Sequence, residues 1–126
     1  MRVLIVDDSS FIILFCRLAL TKAGYEVVGE AYDGEEAVEK ALELKPNLIL
    51  MDIALPKKNG FEAAQEIINK LPRTKVIAIS ALEESWLSEK CEQSGCDSFI
   101  PKPFDAKTLI EHIKSALGED EELMYG

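Results

Sequence analysis

Long apolar runs, a basic excess and a paired set of cysteines are all missing from this sequence. The richest apolar stretch, Phe11 to Leu20, is interrupted by Arg17 and is about half the length a helix needs to cross a bilayer. The opening run Val3-Leu4-Ile5-Val6 is shorter still and lacks the outline of a signal peptide. The expectation is therefore a cytoplasmic chain with no membrane insertion. There are only 3 cysteines, Cys16, Cys91 and Cys96. An odd count at irregular spacing describes neither a disulfide framework nor a zinc site. Cys16 and Cys91 read as small core residues and Cys96 as part of a turn. Acidic residues outnumber basic ones by 23 to 14, a formal net charge of -9. Such a surface repels nucleic acid phosphates, which argues against direct nucleic acid binding by this chain. The single histidine, His112, has no neighbouring candidate ligand in the sequence and reads as a surface residue. No internal repeat and no low-complexity segment is visible.

What is present is a globular composition, 48% hydrophobic over 126 residues, which suits one domain with a sizeable core. Short apolar runs alternate with helical periodicity. Val3-Leu4-Ile5-Val6, Leu48-Ile49-Leu50-Met51 and Val76-Ile77-Ala78-Ile79 are continuous, as in strands buried on both faces. Tyr25-Glu26-Val27-Val28 is mixed and fits an edge strand, and Ser98-Phe99-Ile100 is a weak fifth strand. Between them, Ile12, Phe15, Cys16, Ala19 and Leu20 follow the spacing of a helix face. So do the groups Ala37/Val38/Ala41/Leu42, Ala64/Ile67/Ile68/Leu71 and Ile110/Ile113/Leu117. A less obvious helix spans about Glu83 to Ser94, with Leu87 and Cys91 inward. Gly24, Gly95 and the Leu71-Pro72 step mark helix ends. The reading is an α/β fold: a (βα)5, doubly wound, flavodoxin-like parallel sheet of five strands in the order 2-1-3-4-5, with helices on both faces. The run Glu119-Asp120-Glu121-Glu122 opens an acidic, solvated tail over 119–126.

In such a sheet, ligands bind beyond the carboxyl ends of the strands where the strand order reverses. Asp7 and Asp8 follow the first strand, Asp52 the third, Ser80 the fourth and Lys102 the fifth. Each has an ordinary reading alone: a helix cap for Asp7-Asp8, a loop carboxylate, a cap serine, a solvated lysine. Their joint placement at four strand ends is what points to chemistry. Three crowded carboxylates tolerate one another around a hard divalent cation, and Mg2+ favours a few carboxylates with waters and phosphate oxygens. Mn2+ is an alternative ion. Lys102 offers a point charge and Ser80 a hydroxyl to phosphoryl oxygens, and a carboxylate such as Asp52 can act as nucleophile.

Four stretches carry a resemblance: Val6-Asp7-Asp8-Ser9, Asp52 through Gly60 (Asp52-Ile53-Ala54-Leu55-Pro56-Lys57-Lys58-Asn59-Gly60), Ile79-Ser80-Ala81 and Pro101-Lys102-Pro103-Phe104. Together they resemble the receiver domain of two-component response regulators, here over residues 1–118. The resemblance implies phosphoryl transfer to Asp52 from the phosphohistidine of a sensor histidine kinase or histidine phosphotransfer protein. It implies Mg2+ held by Asp8, Asp52 and the backbone carbonyl of Ala54, with Asp7 acting through a water. It makes Ser80 and Lys102 phosphoryl-binding residues, Phe99 the aromatic switch position, and Lys102-Pro103 a cis bond. It implies a downstream protein partner that reads the face of the fourth helix, fifth strand and fifth helix, and a monomer or a phosphorylation-dependent dimer.

The sequence also departs from the family's usual pattern. Ala54 and Leu82 stand where relatives often carry residues able to orient an attacking water, so slow self-dephosphorylation is expected. Phe99 replaces a frequent tyrosine. After the apolar stripe of the first helix is assigned, Phe11, Ile13, Leu14 and Leu18 remain, an apolar face suited to docking a four-helix phosphodonor. Trp86 lies off its helix's stripe and is a candidate partner anchor. Two other readings compete. One is a receiver cut from a longer regulator with a DNA-binding or enzymatic output domain. The other is an Asp-nucleophile phosphatase of the haloacid-dehalogenase kind, which places a second Asp two residues after the first; Asp52 is followed by Ile53-Ala54 instead.

Overall fold

The computed structural model describes residues 1–55, 57–81 and 86–118, without the side chains of 86–88. The acidic tail, Leu82 and the side chains of Trp86 and Leu87 lie outside the described residues. The chain order is β1 (Arg2–Val6), α1 (Ser10–Lys22), β2 (Glu26–Ala31), α2 (Gly34–Leu44), β3 (Leu48–Asp52), α3 (Gly60–Lys70), β4 (Lys75–Ser80), α4 (Trp86–Ser94), β5 (Ser98–Pro101) and α5 (Ala106–Leu117). All neighbouring strands pair in parallel, in the order β2-β1-β3-β4-β5. No helix among the described residues is long and apolar enough to cross a membrane.

The continuous apolar strands are explained by two cores, one on each face of the sheet. Leu4, Val6, Ile49, Met51, Val76 and Ala78 point to the side covered by α2, α3 and α4. Their immediate neighbours Val3, Ile5, Leu48, Leu50, Ile77 and Ile79 point to the side covered by α1 and α5. Successive side chains on a strand alternate faces, so a strand covered on both sides is apolar along its interior and carries polar residues only at its ends. The exceptions are the two edge strands: β2, which pairs only with β1, and β5, which pairs only with β4, are both mostly half-buried.

The helices are bounded by side-chain caps. Ser9 caps α1 by accepting from the Ile12 N–H at 3.3 Å, Asp33 caps α2, Asn59 and Glu62 form a reciprocal box at the start of α3, and Asp105 caps α5. Because Ser9 takes the capping role, Asp7 and Asp8 are not used up in starting α1. Gly24 and Gly95 have φ of +95° and +87°, the left-handed conformation that ends a helix at little cost in glycine.

One expectation is corrected here. Ile13 is not part of an exposed face: it is 3% exposed and packs in the core with Cys16 and Leu20. The buried stripe of α1 runs 13, 16, 20, while Ile12 and Ala19 flank it half-buried. A helix that is apolar almost all round gives no contrast by which its phase can be read, and the stripe lies one residue from the spacing inferred at its start. Phe11, Leu14 and Leu18 are exposed, at 75%, 54% and 62%.

Candidate functional site

Parallel register lines the strand ends up in a row. Val6 pairs with Met51, Asp52 with Ile79 and Ser80 with Pro101. The residues at or just beyond those ends are Asp7, Asp52, Ser80 and Lys102, all beside the point where the chain leaves β1 for β2 on one side and later returns to β3 on the other.

Asp7 is fully buried, Asp52 is 4% exposed and Ser80 2%, while Asp8 faces solvent. One oxygen from each of Asp7, Asp8 and Asp52 lies within 4.8 Å of the others. The Lys102 ammonium donates to Asp7 Oδ2 at 3.1 Å and lies 3.6 Å from Asp52 Oδ2. The remaining oxygens are held by backbone: Ser9 N–H donates to Asp7 Oδ1 at 2.9 Å, and Ala54 N–H donates to Asp52 Oδ1 at 3.1 Å. The Lys102 N–H donates to the Ser80 carbonyl at 2.7 Å, so the ends of β4 and β5 are tied at the lysine. The Lys102-Pro103 peptide is cis. Phe99, on β5, is half-buried against the α2/α3/α4 core.

The electrostatics follow from this packing. Burial pushes the Asp52 carboxyl above the usual range, and the neighbouring Asp7 and Asp8 charges add to that; the Ala54 N–H and Lys102 pull the other way without cancelling it. Burial acts to lower the Lys102 ammonium, but the Asp52 and Asp7 carboxylates outweigh it and raise the pKa. When all groups are ionised, three carboxylates face one ammonium, an excess of two negative charges in a largely buried space. Oxygen-only donors with that excess suit a hard divalent cation. The cluster of Asp7, Asp8 and Asp52 could hold a metal ion.

The sequence motif contains Gly60 but gives no reason for it. A Cβ there would sit 2.3 Å from the Asp52 carbonyl oxygen and 2.5 Å from Ile53 Cα. Glycine thus lets the start of α3 close onto the end of β3, where the Gly60 N–H donates to the Ile53 carbonyl at 3.0 Å. Gly60→Ala is expected to cost about 1–3 kcal/mol, because the obstructing atoms are backbone. A fall in the urea midpoint at unchanged m-value would register it; an unshifted midpoint would remove the steric role.

Of the candidate partner contacts, Leu14 and Leu18 lie together with Phe11, Phe15, Ala19, Lys22 and Ala106 around an apolar groove of about 400 Å3. Phe15 is fixed edge-on against Phe104, with ring centroids 5.8 Å apart. Ile13 belongs beneath this surface and not in it.

The parallel sheet and the acidic cluster at its carboxyl edge define a receiver-type α/β module, and residues 3–114 match the family described as the response regulator receiver domain. The chain belongs to that family, whose members are signalling switches of two-component systems. It is 44% identical over 112 residues to the chemotaxis protein CheY of Thermotoga maritima, covering 89% of this chain and 93% of that protein. Its fold matches the response regulator domain of Thermotoga maritima CheB with a TM-score of 0.84 and 39% identity, over 94% of this chain and 96% of that one. It matches the chain in the CheX-CheY-BeF3-Mg2+ complex from Borrelia burgdorferi with a TM-score of 0.89 and 33% identity, over 93% and 89% of the two chains.

Proposed function

We propose that this chain is a Mg2+-dependent phosphoacceptor. Asp52 takes a phosphoryl group from the phosphohistidine of a sensor histidine kinase or histidine phosphotransfer protein, and the modified domain is read by a downstream protein. The observation that carries the reading is a nearly buried Asp52 whose oxygens adjoin two further carboxylates and lie 3.6 Å from a lysine, at the open end of the sheet. Asp8, Asp52 and the Ala54 carbonyl would hold the metal, with Asp7 reaching it through a water. The bound ion would neutralise carboxylate charge and phosphoryl oxygens during in-line transfer. Asp52 supplies the attacking oxygen. Lys102 then trades its place beside Asp52 for a phosphoryl oxygen, and the Ser80 hydroxyl takes another. Since the Lys102 N–H and the Ser80 carbonyl are already bonded, a pull on either is felt at the ends of both β4 and β5. Phe99, half-buried on β5, would then change its packing. A difference of a few kcal/mol between the two packings is enough for one phosphoryl group to reverse their populations.

The test is to add beryllofluoride with Mg2+, a phosphoryl mimic also present in the Borrelia burgdorferi CheX–CheY complex. Amide NMR shifts are expected at Asp52, Ser80, Phe99 and Lys102 with both additives together. Equal shifts in Asp52→Ala would reject the reading.

Ala54 is a small exposed residue with no group to orient water toward Asp52. Once formed, the acyl phosphate is expected to persist for minutes or longer in excess Mg2+ without a phosphatase. Radiolabel loss over seconds would contradict this.

A further inference from the structure

Two thiols outside the acidic site face each other where α4 runs into β5. Cys91 lies in the last turn of α4, and Cys96 follows Gly95, whose left-handed φ of +87° reverses the chain. The reversal is closed by the Cys96 N–H, which donates to the Cys91 carbonyl at 2.9 Å, and by the Gly95 N–H, which donates to the Glu92 carbonyl at 3.2 Å. That first bond bounds the separation of the two residues. With about 2.4 Å of covalent reach from Cα to carbonyl oxygen and about 1.5 Å from nitrogen to Cα, the Cα atoms lie no more than about 6.8 Å apart. Disulfides bridge Cα separations of roughly 4.4–6.8 Å.

The side chains use that proximity. The Cys91 thiol donates to the Ser98 carbonyl oxygen at 3.7 Å, and the Ser94 hydroxyl donates to Cys96 Sγ at 3.7 Å. The proximity of the two thiols lowers the Cys91 pKa despite burial and, with burial, raises that of Cys96. Of the pair, Cys91 is thus the readier to give up its proton and act as the attacking sulfur. Both are mostly buried, yet both line a surface cavity of about 420 Å3 that also touches Phe99 and His112. A molecule the size of hydrogen peroxide can enter it. The third thiol, Cys16, is fully buried and pushed up to about 12, chiefly by burial, so it offers no thiolate.

We propose that Cys91 and Cys96 form a redox modification site, a dithiol that a small peroxide converts to an intramolecular disulfide. The Cys91 thiolate attacks one peroxide oxygen and the O–O bond breaks, leaving Cys91 sulfenic acid and hydroxide, which is protonated to water. The Cys96 sulfur then attacks the Cys91 sulfur: the S–S bond forms, the S–O bond breaks, and the hydroxyl leaves with the Cys96 proton as a second water. Two thiols lose two electrons and one peroxide gains them. The bond formed straps the end of α4 to the chain entering β5, three residues before Phe99.

The test is hydrogen peroxide treatment of the full chain, followed by intact mass and peptide mapping. The wild-type protein is expected to lose about 2 Da, the two thiol hydrogens. The mapped link should join Cys91 to Cys96, with Cys16 left alkylatable after denaturation and the mass restored by dithiothreitol. Cys96→Ser is expected to show no such loss and to leave a dimedone-reactive sulfenic acid on Cys91. An unchanged wild-type mass, a link involving Cys16, or links only between molecules would each overturn the proposal, and these readings on the wild-type chain do not depend on any variant folding.

Discussion

Asp52→Asn is expected to take up no phosphoryl group from acetyl phosphate in the presence of Mg2+, while the wild-type chain is expected to gain the mass of one. The reason lies in the chemistry of a single atom. The substitution keeps the shape of the side chain but replaces an anionic oxygen, in the proposed function the attacking atom and a metal donor, with a neutral amide. The variant should nevertheless fold. Burial already disfavours the charged form of Asp52, and the crowded Asp7 and Asp8 add to that strain. Removing one of three adjacent charges is therefore expected to hold or raise the urea midpoint in the absence of metal. The two readouts move in opposite directions, so loss of labelling cannot be put down to unfolding. Labelling retained in Asp52→Asn would move the nucleophile elsewhere and sink the proposed function.

The second large effect separates two adjacent residues of α1. Ile13→Glu is expected to lose about 4 kcal/mol or more, because it puts a carboxylate into a fully formed apolar core. A domain with a total stability of roughly 5–15 kcal/mol would be left marginal or unfolded. Leu14→Glu, one position along and 54% exposed, is expected to change stability by no more than about 0.5 kcal/mol. Circular dichroism during urea titration reads both. The Leu14 variant carries a second test. If the groove of Phe11, Leu14 and Leu18 receives a helix of the phosphodonor, Leu14→Glu slows transfer from the cognate kinase but not from acetyl phosphate. Equal rates with both donors would show that the groove has no part in docking.

That contrast also marks the limit of what the sequence made legible. The strands and their order followed from runs such as Leu48-Ile49-Leu50-Met51, since only burial on both faces permits four apolar residues in succession. The convergence of Asp7, Asp8, Asp52, Ser80 and Lys102 followed from the topology, because parallel register places every strand's carboxyl end on one edge. The phase of α1 did not follow, since an almost uniformly apolar helix has no polar side to set against the apolar one. The role of Gly60 stayed hidden for a different reason: it is a distance of closest approach between two backbone segments far apart in type, and composition carries no trace of it. The pairing of Cys91 with Cys96 needed the reversal at Gly95, which turns a separation of five residues into a contact.

The two-sided burial of β1 has a consequence for how the chain finds its alignment. Val3, Leu4, Ile5 and Val6 are equally acceptable to either core, so a slide of two residues along β3 would expose nothing apolar in that strand and break no pattern. What blocks the slide is polar hardware at the two extremities. At one end the Arg2 N–H is fixed to the Asn47 side chain at 2.7 Å; at the other Asp7 is held across the sheet by the Lys102 ammonium at 3.1 Å. Asp7 thus serves as a mechanical stop as well as a member of the acidic cluster, and a substitution there is expected to loosen the indexing of the central strands as well as the site.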